Sequence, residues 1–373
     1  MASRRRKAAK GNAQEMCGCR QDMYRLITTA LVLIGCTLSF LTWKPLITTC
    51  IPNTSTTITT GISSTSTGTT RNSLCMEVGD SNHRTRPLPT DTDRCLLFEP
   101  PPPSLQLLMN VLRGLPNAGR CDYGNPNCAP PYLPYDKKLR HFGDDWPPHG
   151  FTMTGQERLH NFYAAISEVN RNQIEGAIAE FGVWRGGAMM LAMAMTDTDT
   201  GSLIEQQQRY RGIPRDLYLF DAFGSFGGYG RNDNFLGVSL EDVKNNFRML
   251  NLNPDQPRVH FVKGMFKDTT GAWIHRADPI AVLRVDGNFY SSYQDVMYAV
   301  YENVPVGGIV IFDDIYHPKH KSVMQFWNHF KADHGLVEEL VRIDTGSAWF
   351  RKQKQVTVDQ TKRRAVPTNE VLE

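Results

Sequence analysis

The stretch Leu283-Arg284-Val285-Asp286-Gly287-Asn288 and the stretch Ile309-Val310-Ile311-Phe312-Asp313-Asp314 are two apolar runs that end in carboxylates. They lie about 27 residues apart, enough for a strand, a crossover helix and a return strand. We therefore expect Asp286 and Asp313 side by side, at the carboxyl ends of neighbouring parallel strands.

Strand-like and helix-like segments alternate on both sides of these runs, as in a parallel sheet with crossover helices. Helical spacing of apolar residues predicts four helices, at Ala188 to Met195, Leu240 to Leu250, Ser292 to Val300 and Lys321 to His329. Seven strands are predicted, the sixth weaker than the others: Ala177 to Gly182, Asp216 to Asp221, Val259 to Lys263, Ile280 to Asp286, Gly308 to Asp313, Val337 to Ile343 and Ser347 to Arg351. The sequence thus predicts an α/β fold with a seven-stranded, mostly parallel sheet and helices on both faces.

The first predicted strand ends in a glycine-rich turn, Glu180-Phe181-Gly182-Val183-Trp184-Arg185-Gly186-Gly187. Glycines at such a turn let the backbone approach a ligand closely. The spacing Gly-x-Gly-x-x-Gly is absent and the acid precedes the glycines, which disfavours a dinucleotide site. An acid followed by these glycines is similar to the first motif of S-adenosylmethionine-dependent methyltransferases. A tight turn without a ligand is the alternative interpretation.

The second predicted strand ends in Asp221, where an acid can accept hydrogen bonds from ribose hydroxyls. A loop carboxylate or helix N-cap would explain the same residue.

Three carboxylates at the ends of two neighbouring strands would repel one another unless a cation lies among them. Oxygen ligands from Asp286, Asp313 and Asp314 suit a hard divalent ion such as Mg²⁺. The alternative is that Asp314 caps a turn and the others are solvated. Asp286, apart from the acidic pair, is the candidate general base, and His317 and His320 are the weaker candidates.

The amino-terminal region predicts a membrane anchor. Residues 26–43 are uncharged and apolar and long enough to span a bilayer, and basic residues precede them, which places the amino terminus in the cytoplasm. A cleavable signal peptide is the alternative. We therefore predict a cytoplasmic tail at 1–25, a signal anchor at 26–43 and a luminal catalytic domain in a single-pass type II membrane protein.

Composition sets the other boundaries. Thr/Ser-rich and Pro-rich sequence predicts a stem and linker at 44–135 with an N-glycosylation sequon at Asn53, then the catalytic domain at 136–352 and a disordered tail at 353–373. This arrangement is typical of Golgi glycan-processing enzymes and predicts that location. Cys121 and Cys128 suggest a short disulfide loop. A net charge of +3 with no basic stripe disfavours nucleic acid as a partner, and the oligomeric state is left open.

Roughly residues 135–352 resemble the macrocin O-methyltransferase family, which methylates sugar hydroxyls of macrolide antibiotics. The segments that carry the resemblance are Asp145-Trp146-Pro147-Pro148, Thr152-Met153-Thr154-Gly155, Arg158-Leu159-His160-Asn161, the glycine-rich turn, Gly264-Met265-Phe266-Lys267-Asp268-Thr269, Val285 to Tyr290, and Val306-Gly307-Gly308 leading to the acidic pair. The resemblance implies a Rossmann-like class I methyltransferase fold with S-adenosylmethionine and Mg²⁺ as cofactors. The residues implied in cofactor binding are Glu180, Gly182, Trp184, Gly186, Gly187, Asp221, Gly264 and Phe266, and those implied in metal binding are Asp286, Asp313 and Asp314.

Together these features predict Mg²⁺-dependent O-methylation of a sugar hydroxyl on a glycan or glycoconjugate. Two alternatives stay open: O-methylation of a small hydroxylated metabolite or lipid, and a metal-dependent luminal glycosyltransferase. For the latter, the Asp-x-Asp motifs at Asp91 and Asp197 are interpreted as solvated turns.

Overall fold

A computed structural model describes residue 96 and residues 99–115, 119–121, 128–196, 213–225, 233–273 and 278–367. All of these residues belong to the compact unit Arg71–Glu373. The predicted tail at 1–25, the predicted span at 26–43 and most of the predicted stem lie outside the described residues.

The centre of the fold is a seven-stranded sheet with the strand order β3-β2-β1-β4-β5-β7-β6. Strands β1 to β5 run parallel, and β7 is antiparallel to both of its neighbours, β5 and β6. This confirms the predicted seven-stranded, mostly parallel sheet. The strands are β1 Ala177–Phe181, β2 Leu217–Asp221, β3 Val259–Lys263, β4 Ile280–Val285, β5 Ile309–Phe312, β6 Val341–Arg342 and β7 Ala348–Arg351.

The register of the central strands aligns their carboxyl ends. Phe181 pairs with Val285 across β1 and β4, and Val285 pairs with Phe312 across β4 and β5. The residues that follow these strand ends, including Asp286 and Asp313, therefore emerge at one edge of the sheet, as the sequence predicts.

Helices cover both faces of the sheet. One face is apolar and aromatic: Phe181 stacks on Phe220 at a centroid distance of 4.1 Å, and the rings of Tyr293 and Phe326 belong to the same buried cluster. The described helices are α1 Pro103–Leu112, α2 Lys137–Phe142, α3 Gln156–Arg171, α4 Gly187–Thr196, α5 Asp233–Leu236, α6 Leu240–Met249, α7 Phe266–Thr269, α8 Tyr290–Val300 and α9 Lys321–His334. Helix α3 packs against β4 and β5 on the other face, and Leu159, Ile166 and Val169 in α3 are fully buried.

Two segments differ from the predicted linker and tail. Helix α1 lies inside the predicted stem and buries Leu105, Met109 and Leu112. Residues 353–367, predicted as disordered, lie along α8 and α9. Val358 is buried there, and Arg364 forms an ion pair with Asp333 at 2.6 Å. The apolar contact and the ion pair order a segment whose composition alone is polar.

No helix among the described residues has both the length and the apolar character needed to cross a membrane.

Candidate active site

The three predicted metal ligands come together at the carboxyl edge of the sheet. Asp286 follows β4, and Asp313 and Asp314 follow β5; one oxygen from each lies within 4.8 Å of the others. The side chain of Asp286 is 29% exposed, whereas that of Asp313 is 7% exposed. The cluster is therefore open to solvent on the side of Asp286.

Backbone and hydroxyl contacts fix this cluster. The Asp313 N–H donates to the Val285 carbonyl at 3.0 Å, and the Tyr293 hydroxyl donates to the same carbonyl at 2.9 Å. The Asp314 N–H in turn donates to the Tyr293 hydroxyl at 3.4 Å. The Ser347 hydroxyl donates to the Asp313 carbonyl. These contacts hold the two adjacent acids in one orientation.

Two buried arginines contact the acids, Arg284 from β4 and Arg158 from α3. Arg284 Nη2 lies 3.0 Å from Asp286 Oδ2 and 2.9 Å from Asp313 Oδ1. Arg158, on α3, lies 3.1 Å from Asp313 Oδ2 and 2.6 Å from Asp344 Oδ2. The roles of both arginines were not predicted from the sequence, although Arg284 is a charged residue inside the apolar run of β4 and could have indicated a buried ion pair.

The surrounding charges shift the pKa of Asp313 in one direction and the pKa values of Asp286 and Asp314 in the other. Burial opposes the ionised form of Asp313, but Arg284 and Arg158 outweigh it and lower the pKa of Asp313 to about 2. Burial and the nearby Asp313 raise the pKa of Asp314 to about 7 and raise the pKa of Asp286 well above its ordinary value. Carboxylates that resist ionisation together fit a site for a hard divalent cation, which would compensate their charge.

The glycine-rich turn follows β1 directly and is held by Asp221. The Asp221 Oδ2 atom accepts hydrogen bonds from the N–H groups of Val183 at 2.7 Å and Trp184 at 3.1 Å. Trp184 has a left-handed φ of 50°, and these bonds support that conformation. Asp221 thus orders the turn itself, and its predicted contact with ribose hydroxyls stays a prediction.

Glu180 offers a buried acceptor beside the turn. Its Oε1 atom lies 2.5 Å from Arg284 Nη1, and its Oε2 atom is buried without a hydrogen-bond partner among the described residues. Burial, partly offset by Arg284, raises the pKa of Glu180 to about 7. An orphaned carboxylate oxygen at the strand end fits the ammonium group of the methionine part of S-adenosylmethionine, because a buried acceptor is costly without a donor.

The glycines of the turn allow close chain packing. A Cβ on Gly182, where φ is 97°, would lie 2.0 Å from the Asp286 carbonyl oxygen. A Cβ on Gly186 would lie 2.8 Å from the Phe247 ring, and one on Gly187 would lie 2.7 Å from the Phe151 backbone. Gly182 therefore brings the glycine-rich turn against the residue that begins the acidic cluster.

Aromatic rings cover the turn. The indole N–H of Trp184 donates to the Phe235 carbonyl at 3.0 Å, and the Phe235 ring stacks on Trp146 at 4.4 Å. The Arg185 guanidinium lies 4.2 Å from the Trp184 ring centroid and donates to the Gly150 carbonyl at 2.9 Å. Sequence reasoning gave Arg185 no role, because its partners are backbone carbonyls that no motif reveals.

The predicted disulfide is present: Cys121 and Cys128 are bonded, and both contact this aromatic cluster. The other predicted cofactor residues lie at the next strand ends. The Gly264 N–H donates to the Asp221 carbonyl at 2.9 Å, and the Phe266 ring meets the Phe181 ring edge to face at 5.6 Å.

The two histidines considered as bases lie on the loop after the acidic pair. The His317 N–H donates to the Asp314 carbonyl at 3.0 Å, and His317 Nδ1 accepts from the Lys319 N–H at 3.3 Å. Burial, with His317 nearby, lowers the pKa of His320 to about 4. His320 is therefore neutral at physiological pH and a weak proton acceptor.

The sheet order, the glycine-rich turn after β1 and the acids after β4 and β5 define the class of protein, a Rossmann-like methyltransferase. The chain belongs to the macrocin O-methyltransferase family: the family model described as Macrocin-O-methyltransferase (TylF) matches residues 125–352. It is an S-adenosylmethionine-dependent O-methyltransferase.

Relatives and a solved structure agree with this membership. Demethyldecarbamoylnovobiocin O-methyltransferase of Streptomyces niveus is 33% identical over 226 residues, covering 59% of this chain and 82% of the relative. Mycinamicin III 3''-O-methyltransferase of Micromonospora griseorubida is 30% identical over 221 residues, covering 58% and 84%. The structure of the O-methyltransferase NovP has a TM-score of 0.54 and 29% identity, covering 67% of this chain and 98% of that one.

The predicted localisation, a single-pass type II membrane protein with its catalytic domain in the Golgi lumen, is wrong. The matched relatives are bacterial O-methyltransferases, and the described residues contain no helix fit to span a membrane. The apolar run at 26–43, on which the prediction depended, lies outside the described residues.

Proposed function

We propose that this enzyme methylates a sugar hydroxyl of a glycan or glycoconjugate in a Mg²⁺-dependent reaction centred on Asp286, Asp313 and Asp314. One observation carries the proposal: three carboxylates from two neighbouring strands lie within 4.8 Å of one another beside the glycine-rich turn. A hard cation needs such a set of oxygen ligands, and an O-methyltransferase needs its acceptor oxygen next to the cofactor.

Three residues would hold the metal, and Glu180 with the turn would hold the methionine part of the cofactor. Bound S-adenosylmethionine supplies an electrophilic methyl group, and bound Mg²⁺ supplies a Lewis acid that lowers the pKa of a coordinated hydroxyl. The buried Oε2 atom of Glu180 has no hydrogen-bond partner among the described residues and would accept from the cofactor's ammonium group.

Asp286 is the residue that takes the acceptor's proton. It is the most exposed of the three acids at 29%, and it pairs with one arginine whereas Asp313 pairs with two. Its backbone N–H donates to the Phe181 carbonyl at 2.8 Å, which holds the carboxylate beside the turn. Asp313, paired with two arginines, stays ionised and serves as a ligand.

The names of the relatives support a glycosylated acceptor. One similar enzyme from Streptomyces olivaceus, 31% identical over 218 residues, is named as a 4'-O-methyltransferase of a rhamnosyl-tetracenomycin. The acceptor named for that enzyme carries a sugar, so a glycosylated metabolite is the second acceptor class to try.

The test is a methyl-transfer assay on the full chain with S-adenosylmethionine and Mg²⁺, followed by mass spectrometry. The acceptors are a rhamnose-containing glycoside, the same aglycone without sugar, an oligosaccharide and a catechol. We expect a gain of one methyl group on the sugar-bearing acceptors alone. Methylation of the aglycone or catechol with no reaction on either sugar would contradict the proposal.

A further inference from the structure

Arg284 occupies a position between the cofactor turn and the acidic cluster. It belongs to β4, whose neighbours in the sheet are β1 and β5, and its side chain is 4% exposed. One guanidinium contacts acids from all three strand ends: Nη1 pairs with Glu180 at 2.5 Å, and Nη2 pairs with Asp286 at 3.0 Å and Asp313 at 2.9 Å. Nη2 also donates to the Thr154 hydroxyl at 3.2 Å.

This geometry requires arginine. A guanidinium is a planar fork with donors in fixed directions, so its two ends hold different carboxylates at the same time. A lysine ammonium is a point charge and reaches only part of this set. Without the fork, Glu180 would be a buried, unpaired acid and the carboxylates of Asp286 and Asp313 would be free to move apart.

The backbone gives the two sites a second direct contact. The Asp286 carbonyl oxygen lies where a Gly182 side chain would be, and the Asp286 N–H donates to the Phe181 carbonyl at 2.8 Å. A cation that immobilises Asp286 therefore also orders the start of the glycine-rich turn. A ligand that binds an already ordered site has a smaller entropic cost of binding.

We propose that Arg284 is a positioning residue that couples the metal site to the cofactor site, so that occupancy of either tightens the other. The inference rests on the proposed function, since it needs Mg²⁺ to bind at the three acids. Guanidinium Nη2 holds two of the metal's ligands in place while Nη1 orients the free oxygen of Glu180 toward the cofactor's ammonium group. Coupling between two sites is reciprocal, so each ligand improves the affinity of the other by the same factor.

Titration calorimetry of the full chain with S-adenosylhomocysteine, with and without Mg²⁺, measures this factor. S-adenosylhomocysteine lacks the sulfonium charge, so charge repulsion from the metal does not mask the coupling. We expect Mg²⁺ to lower the Kd of S-adenosylhomocysteine about fivefold or more. S-adenosylhomocysteine should lower the Kd of Mg²⁺ by the same factor.

The variant Arg284→Lys should lower this factor well below that of the wild type, because only the backbone contact between Asp286 and the turn then connects the two sites. The matched control is Arg215→Lys. Arg215 is also buried, but its guanidinium donates to the Gly176 carbonyl at 2.5 Å and the Ile174 carbonyl at 2.8 Å, before β1 begins. Arg215→Lys should lower the Tm and keep the coupling factor of the wild type, which separates coupling from the general loss of a buried arginine.

If Arg284→Lys does not fold, Thr154→Val tests the same coupling factor with a smaller perturbation. This substitution keeps the side-chain shape and removes one acceptor of Arg284, so the factor should fall below that of the wild type. Equal factors in the wild type and in a folded Arg284→Lys or Thr154→Val variant would overturn the inference. A wild type that binds Mg²⁺ and S-adenosylhomocysteine independently of each other would also overturn the inference, but it would leave the proposed function intact. A wild type that binds S-adenosylhomocysteine but no Mg²⁺ would overturn the proposed metal site and the inference together.

Discussion

Replacing Gly182 with alanine should damage the acidic cluster although Gly182 carries no side chain that could bind a metal. The new Cβ would lie 2.0 Å from the Asp286 carbonyl oxygen, about 1.4 Å short of the 3.4 Å at which ordinary contact begins. The Asp286 backbone must move, or the turn must, and the hydrogen bond from Asp286 to Phe181 weakens in either case. The φ of 97° adds backbone strain.

These effects can be sized separately. The left-handed conformation costs a residue with a Cβ about 1 to 2 kcal/mol, and overpacking costs about 1 to 3 kcal/mol. A weakened buried hydrogen bond adds about 1 kcal/mol. The free energy of unfolding of Gly182→Ala should therefore fall by about 4 kcal/mol. Metal ligands tolerate displacements of about 0.2 Å, so Mg²⁺ affinity should fall at least about tenfold.

Gly335→Ala is the matched control. Gly335 ends α9 with a φ of 60°, and a Cβ there would meet no atom within 4 Å. This variant carries the backbone strain alone and should lose about 1 kcal/mol with unchanged Mg²⁺ affinity. Urea unfolding and Mg²⁺ calorimetry of both variants test the reasoning. Equal losses of stability, or Mg²⁺ affinity unchanged in Gly182→Ala, would refute it.

Three further predictions concern pH, the disulfide and the tail. Because the pKa of Asp314 is raised to about 7, its proton competes with Mg²⁺ below that pH. Mg²⁺ affinity should therefore rise from pH 6 to pH 8, and Mg²⁺ binding should release protons, which calorimetry in two buffers measures. A Mg²⁺ affinity that does not change with pH would contradict this. Replacing Cys121 and Cys128 together with serine opens the disulfide loop and should lower the free energy of unfolding by about 2 kcal/mol in chemical denaturation, whereas an unchanged midpoint would show that the loop adds no stability. Deleting residues 353–373 removes the buried Val358 and should lower the Tm by about 5 °C in a thermal scan; an unchanged Tm would mean that this segment does not stabilise the domain.

The sheet was predictable because its strands are apolar runs that end in polar residues. Strand β3 was predicted at the bounds it has, and β4 and β5 each within a residue or two. The convergence of Asp286 and Asp313 followed from the parallel register, which the length of the intervening segment implies. Helix α3 was missed, although Leu159, Phe162 and Ile166 recur at helical spacing, because its sequence was interpreted only as a motif.

The contacts that determine the ionisation of the acids at the strand ends could not be predicted from the sequence. Arg158 pairs with Asp344 across 186 positions of the chain, and no local pattern reports such a pair. The strand-end position of Asp221 also gave no indication that its carboxylate accepts hydrogen bonds from the N–H groups of the glycine-rich turn. The sequence indicated which residues lie at the strand ends, and the packing of α3 and the turn determined what each of them touches.

In the proposed reaction, the acidic cluster supports metal-dependent methyl transfer to a sugar. The most direct test of this proposal is the rate of methyl transfer from S-adenosylmethionine to a rhamnose-containing glycoside, with metal-stripped full-length protein titrated with Mg²⁺, for the wild type and for Asp313→Asn. We expect a wild-type rate that rises from background and saturates with Mg²⁺, and a loss of at least about 100-fold in a folded Asp313→Asn variant. A rate unaffected by chelation, or by Asp313→Asn, would contradict it.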